Sequence, residues 1–242
     1  MVGSGDKEYP YAARFGLKEV PPLESGDRLT RQEFERRYEA MPNLKKAELI
    51  KGMVYVPSPV LVSHGEPHSL IIWWLGSYRI ATPGVRVYDN VTVRLDVENE
   101  PQPDALLRLE EALGGTSKID DDGYVSGLPE MIVEIAGTSA AYDLHDKKEV
   151  YQHYDVKEYL VWQVYDQRFD WWRLVDGEYV AIEPDEEGVI RSQVFPGLWL
   201  AAESLLSGDL ATVARSLQEG LASEQHATFV ETLQREAEPG DH

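Results

Sequence analysis

The run Met131-Ile-Val-Glu-Ile-Ala136 is strand-forming and apolar except for one carboxylate in its middle. A short, nearly continuous apolar run reads as a strand buried on both faces. An unpaired charge in such a strand costs several kcal/mol. Glu134 therefore demands a partner elsewhere in the chain. The chain has no cysteine, which excludes a thiolate zinc site, an iron–sulfur cluster, a disulfide framework and a cysteine nucleophile. It also lacks a Gly-rich phosphate loop, a GxSxG elbow and an HExxH motif. Any catalysis must come from oxygen and nitrogen groups.

The 242 residues, 43% of them hydrophobic, are enough for a real core, and the local signals point to mixed elements. Residues 1–26 hold glycines and prolines without periodicity and read as an extended arm. Thr30 with Glu33 fits a capping box, and Phe34 and Tyr38 follow at helical spacing, so a helix starts near Thr30. In KAELIKGMVYVPS, Lys51-Gly52 separates two alternating runs, a β-hairpin whose first strand carries Glu48. Ser63 to Ala81 reads as a largely buried helix. GVRVYDNVTVRLD and PDALLRL supply two or three strands with a break at Asp89-Asn90. Residues 111–127 read as an acidic loop with a short hairpin around Asp122-Gly123.

Leu144, Lys147/Lys148, Tyr151 and Tyr154 fall at three- and four-residue steps, a short helix with Asp143 as its N-cap. YLVWQVYD, FDWWRLVDGEYVAIE and Val189-Ile190 give further strands, with a hairpin turn at Asp176-Gly177. In Trp73-Trp74 and Trp171-Trp172 one ring of each pair belongs to the core. Residues 202–236 return to helical spacing as two helices broken near Gly220. The sum is a mixed α/β layer fold without the regular βαβ alternation of a dinucleotide-binding sheet.

Glu48, Asp104 of Pro103-Asp104, Glu134 and then Lys147 form an ordered set of three carboxylates and an ammonium on predicted strands and a helix. Carboxylates aimed to one side repel, and a divalent cation with oxygen ligands relieves that field. The bland readings are a turn carboxylate for Asp104 and a surface pairing of Glu48 with Lys46 or Lys51. His145 and His153 with Asp143 invite a zinc reading, but eight helical residues leave the rings about 80° apart and ~12 Å along the axis.

PD…E followed by a lysine resembles the PD-(D/E)xK nuclease superfamily. More closely, AELIKGMVYVPSPVLVSHG, QPDALL and MIVEIAGTSAAYDLHDKKEVYQHYDVKEYLVWQV, in this order, are similar to the Uma-two family of restriction-endonuclease-like proteins, over residues 28–200. The resemblance implies an α/β, restriction-endonuclease-like mixed β-sheet core flanked by helices, with β-hairpin additions and C-terminal helices. It also implies Mg2+- or Mn2+-dependent hydrolysis of phosphodiester bonds in DNA. Carried onto this chain, the catalytic positions are Glu48, Asp104, Glu134 and Lys147, with Asp104, Glu134 and Glu48 as metal ligands and Lys147 assisting the attacking water. Ala136 stands where the superfamily usually has its lysine, so Lys147 is the migrated lysine, with Lys148 as the neighbouring alternative. Thr138 and Ser139 keep part of a hydroxyl-bearing segment, and the resemblance places His64 beside the site. On this frame residues 1–26 are the arm, 27–201 the nuclease-like domain and 202–242 a helical extension with an acidic tail.

The net charge of −20 is the awkward number for a DNA partner, since polyanion binders usually show a basic face. It keeps two other classes open: a catalytically inert nuclease-fold binding module, and a metal-dependent hydrolase of a small phosphoester. The N-terminus lacks the apolar run of a secretory signal and no window approaches a membrane span, so a cytoplasmic protein is expected. The C-terminal helices are compatible with a homodimer.

Overall fold

Residues 20–57, 61–137 and 142–237 are described by a computed structural model. Most of the expected N-terminal arm, and Thr138 and Ser139, lie outside these residues. Helix α1 (Arg31–Glu39) starts after Thr30, yet the capping box does not form. Glu33 turns instead to the guanidiniums of Arg36 and Arg37, each 2.7 Å away. Bonds in which both partners are charged outweigh a single bond from the uncharged Thr30 amide. The hairpin β1 (Glu48–Ile50) and β2 (Met53–Tyr55) turns through Lys51 and Gly52, both at positive φ (51° and 71°), the geometry that matches strand twist.

Helix α2 (Val62–Ala81) buries Ile71, Trp74, Leu75 and Tyr78, while Trp73 is 40% and Ile80 87% exposed. It is half-buried rather than largely buried, because only one of its faces meets the sheet. Strands β3 (Val85–Asp89) and β4 (Val93–Arg94) are separated by Asn90 at φ 51°, and β5 (Ala105–Leu109) follows. The acidic segment 111–127 carries the expected hairpin around Asp122-Gly123. It holds a 3-10 turn and the antiparallel pair β6 (Ser117–Ile119) and β7 (Val125–Gly127), with the Asp120 carboxylate accepting the Asp122 and Tyr124 amides at the bend. β7 also pairs in parallel with β4.

Strand β8 (Met131–Ala136) is buried at every residue. A π-type turn over Asp143–Lys147 leads into helix α3 (Lys148–His153). Strands β9 (Glu158–Gln163), β10 (Arg168–Val175) and β11 (Glu178–Ala181) complete the main sheet, the last two joined through Asp176 and Gly177 at φ 51° and 82°. The sheet order is β11-β10-β9-β8-β5-β3, with β8 and β9 parallel and the other pairs antiparallel. It is the mixed sheet expected.

A small pair, β12 (Val189–Arg191) and β13 (Trp199–Ala201), precedes helices α4 (Ala202–Ser207), α5 (Leu210–Leu221) and α6 (Glu224–Ala237). Three helices therefore occupy the stretch expected to hold two. Gly208 at φ 82° stops α4, and the Asp209 carboxylate caps α5 by accepting the Thr212 amide at 3.2 Å. Leu205, Leu217 and Leu233 of these helices share one core with Trp74 and Trp171, which meet edge to face. The opposite sheet face packs Tyr151 and Val156 on Tyr159. Each tryptophan pair does contribute one core ring. Among the described residues no helix is long and apolar enough to cross a membrane.

Glu158 at the start of β9 ties the sheet to the loop before β13. Its carboxylate accepts bonds from Ser192 Oγ, the Gln193 and Val194 amides and Trp171 Nε1. Burial nevertheless pushes its pKa up, against these donors, from 4.5 to about 7. The folded protein thus holds a proton that the unfolded chain releases, so this contribution to stability is complete below 4.5 and lost as pH rises through 7. Denaturant unfolding at pH 5 and pH 8 is expected to show wild type losing about 2 kcal/mol relative to Glu158→Gln over that interval. Parallel curves for the two proteins would show that the four donors keep Glu158 ionised throughout.

Candidate active site

Strands β5 and β8 pair antiparallel with Ala105 opposite Val133. Asp104 directly precedes β5, and its Oδ2 accepts the amide of Ile135, the residue after Glu134 on β8. The like charges of Asp104 and Glu134 repel, and both are buried, at 4% and 1% exposure.

The third carboxylate arrives on the hairpin. Leu49 and Glu100 exchange both backbone bonds, 3.1 and 2.7 Å, which docks β1 on the segment leading to Asp104. Glu48 Oε1 then accepts the Gln102 amide at 2.8 Å. Lys147 comes from the π-type turn. Its ammonium lies 2.9 Å from Glu48 Oε1, 2.9 Å from Glu134 Oε1 and 3.5 Å from Asp143 Oδ1. Asp143 is therefore not an N-cap, because the wider turn directs its side chain inward onto the lysine four residues on. Lys148 points elsewhere, its ammonium 3.7 Å over the Trp172 ring. Of the two adjacent lysines, Lys147 is the one that meets the carboxylates.

Asp104 is held by other groups. Its Oδ1 accepts Lys46 Nζ at 3.0 Å, and its Oδ2 accepts the Ile135 amide at 2.8 Å and lies 3.2 Å from His64 Nε2. His68 Nε2 contacts the Asp104 carbonyl oxygen at 2.9 Å and Asp89 Oδ1 at 3.0 Å. The surface pairings considered for Glu48 do not occur: Lys51 reaches Asp146 and Glu149, and Lys46 reaches Asp104. The structure thus brings Glu48, Asp104, Glu134 and Lys147 together, with His64 beside them.

Sequence reading missed Lys46, the buried role of Asp143, and Tyr151, whose hydroxyl donates to Glu134 Oε1 at 3.1 Å. Two signals were present. Asp143, Lys147 and Tyr151 are spaced by four residues, and Lys46 lies two residues from Glu48 on an extended run.

Among the described residues four buried carboxylates, Glu48, Asp104, Glu134 and Asp143, face the two ammoniums of Lys46 and Lys147. Burial raises the Glu134 pKa, and Asp143, Asp104 and Glu48 add to that, while Lys147 pulls against it. Burial also works against the Lys147 charge but is outweighed by Glu134, Glu48 and Asp143, which hold its pKa well above the ordinary lysine value. At Asp104 burial is overcome by the His64 hydrogen bond and the Lys46 charge, so its carboxyl stays below the usual range.

The donor set is hard oxygen and its carboxylates outnumber the ammoniums, so the chemistry of these residues fits Mg2+ or Mn2+. As packed, no group of three or more His, Asp or Glu among the described residues is arranged to hold a metal ion. Lysines and backbone amides occupy the carboxylate oxygens instead. Two buried polar atoms bordering the cluster, His64 Nδ1 and the Tyr142 hydroxyl, have no hydrogen-bond partner among the described residues. An open groove of about 650 Å³ bounded by Arg191, Trp199 and Thr228 is lined by none of these residues.

No curated protein matches the chain. The crystal structure of "a putative nuclease belonging to DUF820" from Anabaena variabilis shares its fold, with a TM-score of 0.54 at 11% identity over 80% of this chain and 99% of that one. A likeness at that identity concerns the fold. The family model Uma2, described as "Putative restriction endonuclease", matches residues 31–203, from the first residue of α1 into α4. That span takes in the carboxylates, both lysines and the sheet that aligns them, and the chain belongs to the Uma2 family.

Proposed function

We propose that the protein is a PD-(D/E)xK-type endonuclease that hydrolyses phosphodiester bonds in DNA with a divalent metal ion. The observation that carries this reading is the convergence of Glu48, Asp104, Glu134 and Lys147, from four separate segments, into one buried cluster in which carboxylates outnumber ammoniums. A globular fold gains nothing in stability from opposing carboxylates in its core, so a requirement other than packing is the simplest reason to keep them.

Asp104 and Glu134, with Glu48, would hold Mg2+ or Mn2+. When bound, such an ion supplies Lewis acidity toward the phosphodiester and its attacking water. The chain's own groups do the rest. The Ile135 amide and His64 orient Asp104, and Tyr151 and Lys147 orient Glu134. Lys147, fixed between Glu48 and Glu134, places an ammonium where it orients the water that attacks phosphorus as the 3′ oxygen leaves.

The test is cleavage of plasmid and single-stranded DNA with Mg2+ or Mn2+, comparing wild type with Asp104→Ala. Wild type is expected to cleave and the variant to lose at least about 10³-fold. Undiminished cleavage by Asp104→Ala would remove the assignment. A second reading, an inert nuclease-fold binding module, is favoured by the engagement of Asp104 with Lys46, His64 and Ile135 and by the net charge of −20. Calorimetry separates the two, since an inert module binds no metal at millimolar concentration.

A further inference from the structure

The two ammoniums of the cluster are not equivalent. Lys147 is 3% exposed and touches three carboxylates, so it is locked in place. Lys46 is 22% exposed and, among the described residues, has Asp104 as its one carboxylate partner, with the Asn90 amide oxygen besides, at 3.3 Å. His64, 26% exposed, is the other solvent-reaching group on Asp104. The Asp104 side chain is itself only 6% exposed, so an incoming polyanion meets Lys46 and His64 before that carboxylate. Lysine is a point charge on a four-carbon stem, able to swing over several ångströms without moving backbone.

Resting on the nuclease reading, we infer that Lys46 is a second working lysine: its ammonium neutralises Asp104 in the metal-free protein, competes with the cation for that carboxylate, and contacts the substrate phosphate once displaced. Removing an ammonium 3.0 Å from Asp104 strengthens cation binding there. Loss of duplex affinity on the same substitution is what separates a working lysine from a purely structural ion pair. The same displacement gives an acidic protein a local positive charge at the point where DNA has to enter.

The experiment is calorimetric titration of the full chain with Mn2+, paired with binding of a labelled DNA duplex in Ca2+, for wild type, Lys46→Met and Lys46→Arg. Lys46→Met is expected to bind Mn2+ about tenfold more tightly, the equivalent of ~1.4 kcal/mol, and the duplex about tenfold more weakly. Lys46→Arg, which keeps the charge, is expected to recover most of the duplex affinity. Should Lys46→Met fold poorly, Lys46→Gln serves the same comparison. Unchanged or weaker Mn2+ binding by the neutral variant, or undiminished duplex affinity, with wild type binding normally, overturns the role of Lys46 alone. A wild type that binds no Mn2+ overturns the nuclease reading and this inference together.

Discussion

Lys147→Met is expected to lower unfolding stability by about 3–5 kcal/mol, the range for breaking a buried ion pair by removing one partner. The ammonium sits within 3.5 Å of three carboxylates. Methionine fills a similar volume but leaves Glu48, Glu134 and Asp143 buried without it. Urea unfolding measures the loss, and added Mn2+ should restore part of it, since a ligand that binds only the folded state stabilises that state. A loss below about 1 kcal/mol would show that the cluster does not depend on this ammonium for its neutralisation.

The second large effect separates function from stability. Glu134→Gln is expected to reduce metal-dependent cleavage by at least about 10³-fold, because an amide cannot supply the charge. Stability should stay within about 1 kcal/mol of wild type or rise. Burial and the neighbouring carboxylates already disfavour the ionised form at this position. The amide oxygen can still accept from Lys147 and Tyr151, and the repulsion with Asp104 disappears. Cleavage assays beside thermal melts check both halves. A variant that melts far below wild type yet still cuts would make Glu134 a packing residue.

These opposite signatures, one substitution costing stability and its neighbour costing activity, come from the same charge count. The site holds more carboxylates than ammoniums, so it loses stability when a cation goes and not when an anion goes. That is the behaviour expected of a cluster kept for chemistry, as distinct from the Glu158 cluster, where a single carboxylate is matched by four donors.

Much of the fold was legible because its signals are local. The turns at Lys51-Gly52 and Asp176-Gly177 are specified by two residues each, and positive φ at both positions follows from them. The strand around Glu134 declares itself by apolar character, and Glu134 declares a site by violating it. The misreadings have a common origin. Thr30 and Glu33 look like a capping box until Arg36 and Arg37, within the same helix, offer Glu33 stronger bonds. Asp143 looks like an N-cap until the turn widens and aims it at Lys147. Residues 111–127 do carry the hairpin that Asp122-Gly123 announces, but the parallel pairing of β7 with β4, about thirty residues earlier, has no local signal.

Residue order alone settled which groups were available: three carboxylates and a lysine on separate segments, no thiols, and one glutamate that no buried strand would carry without cause. Chain pairing settled which of them meet. Asp104 reaches the Ile135 amide beside Glu134 because β5 pairs with β8, Lys147 displaces Lys148 from the site through a turn one residue wider than an α-helical one, and Lys46 finds Asp104 58 positions away. Charge and hydrophobicity are properties of single residues, whereas a Coulomb interaction depends on a distance that only the folded backbone sets.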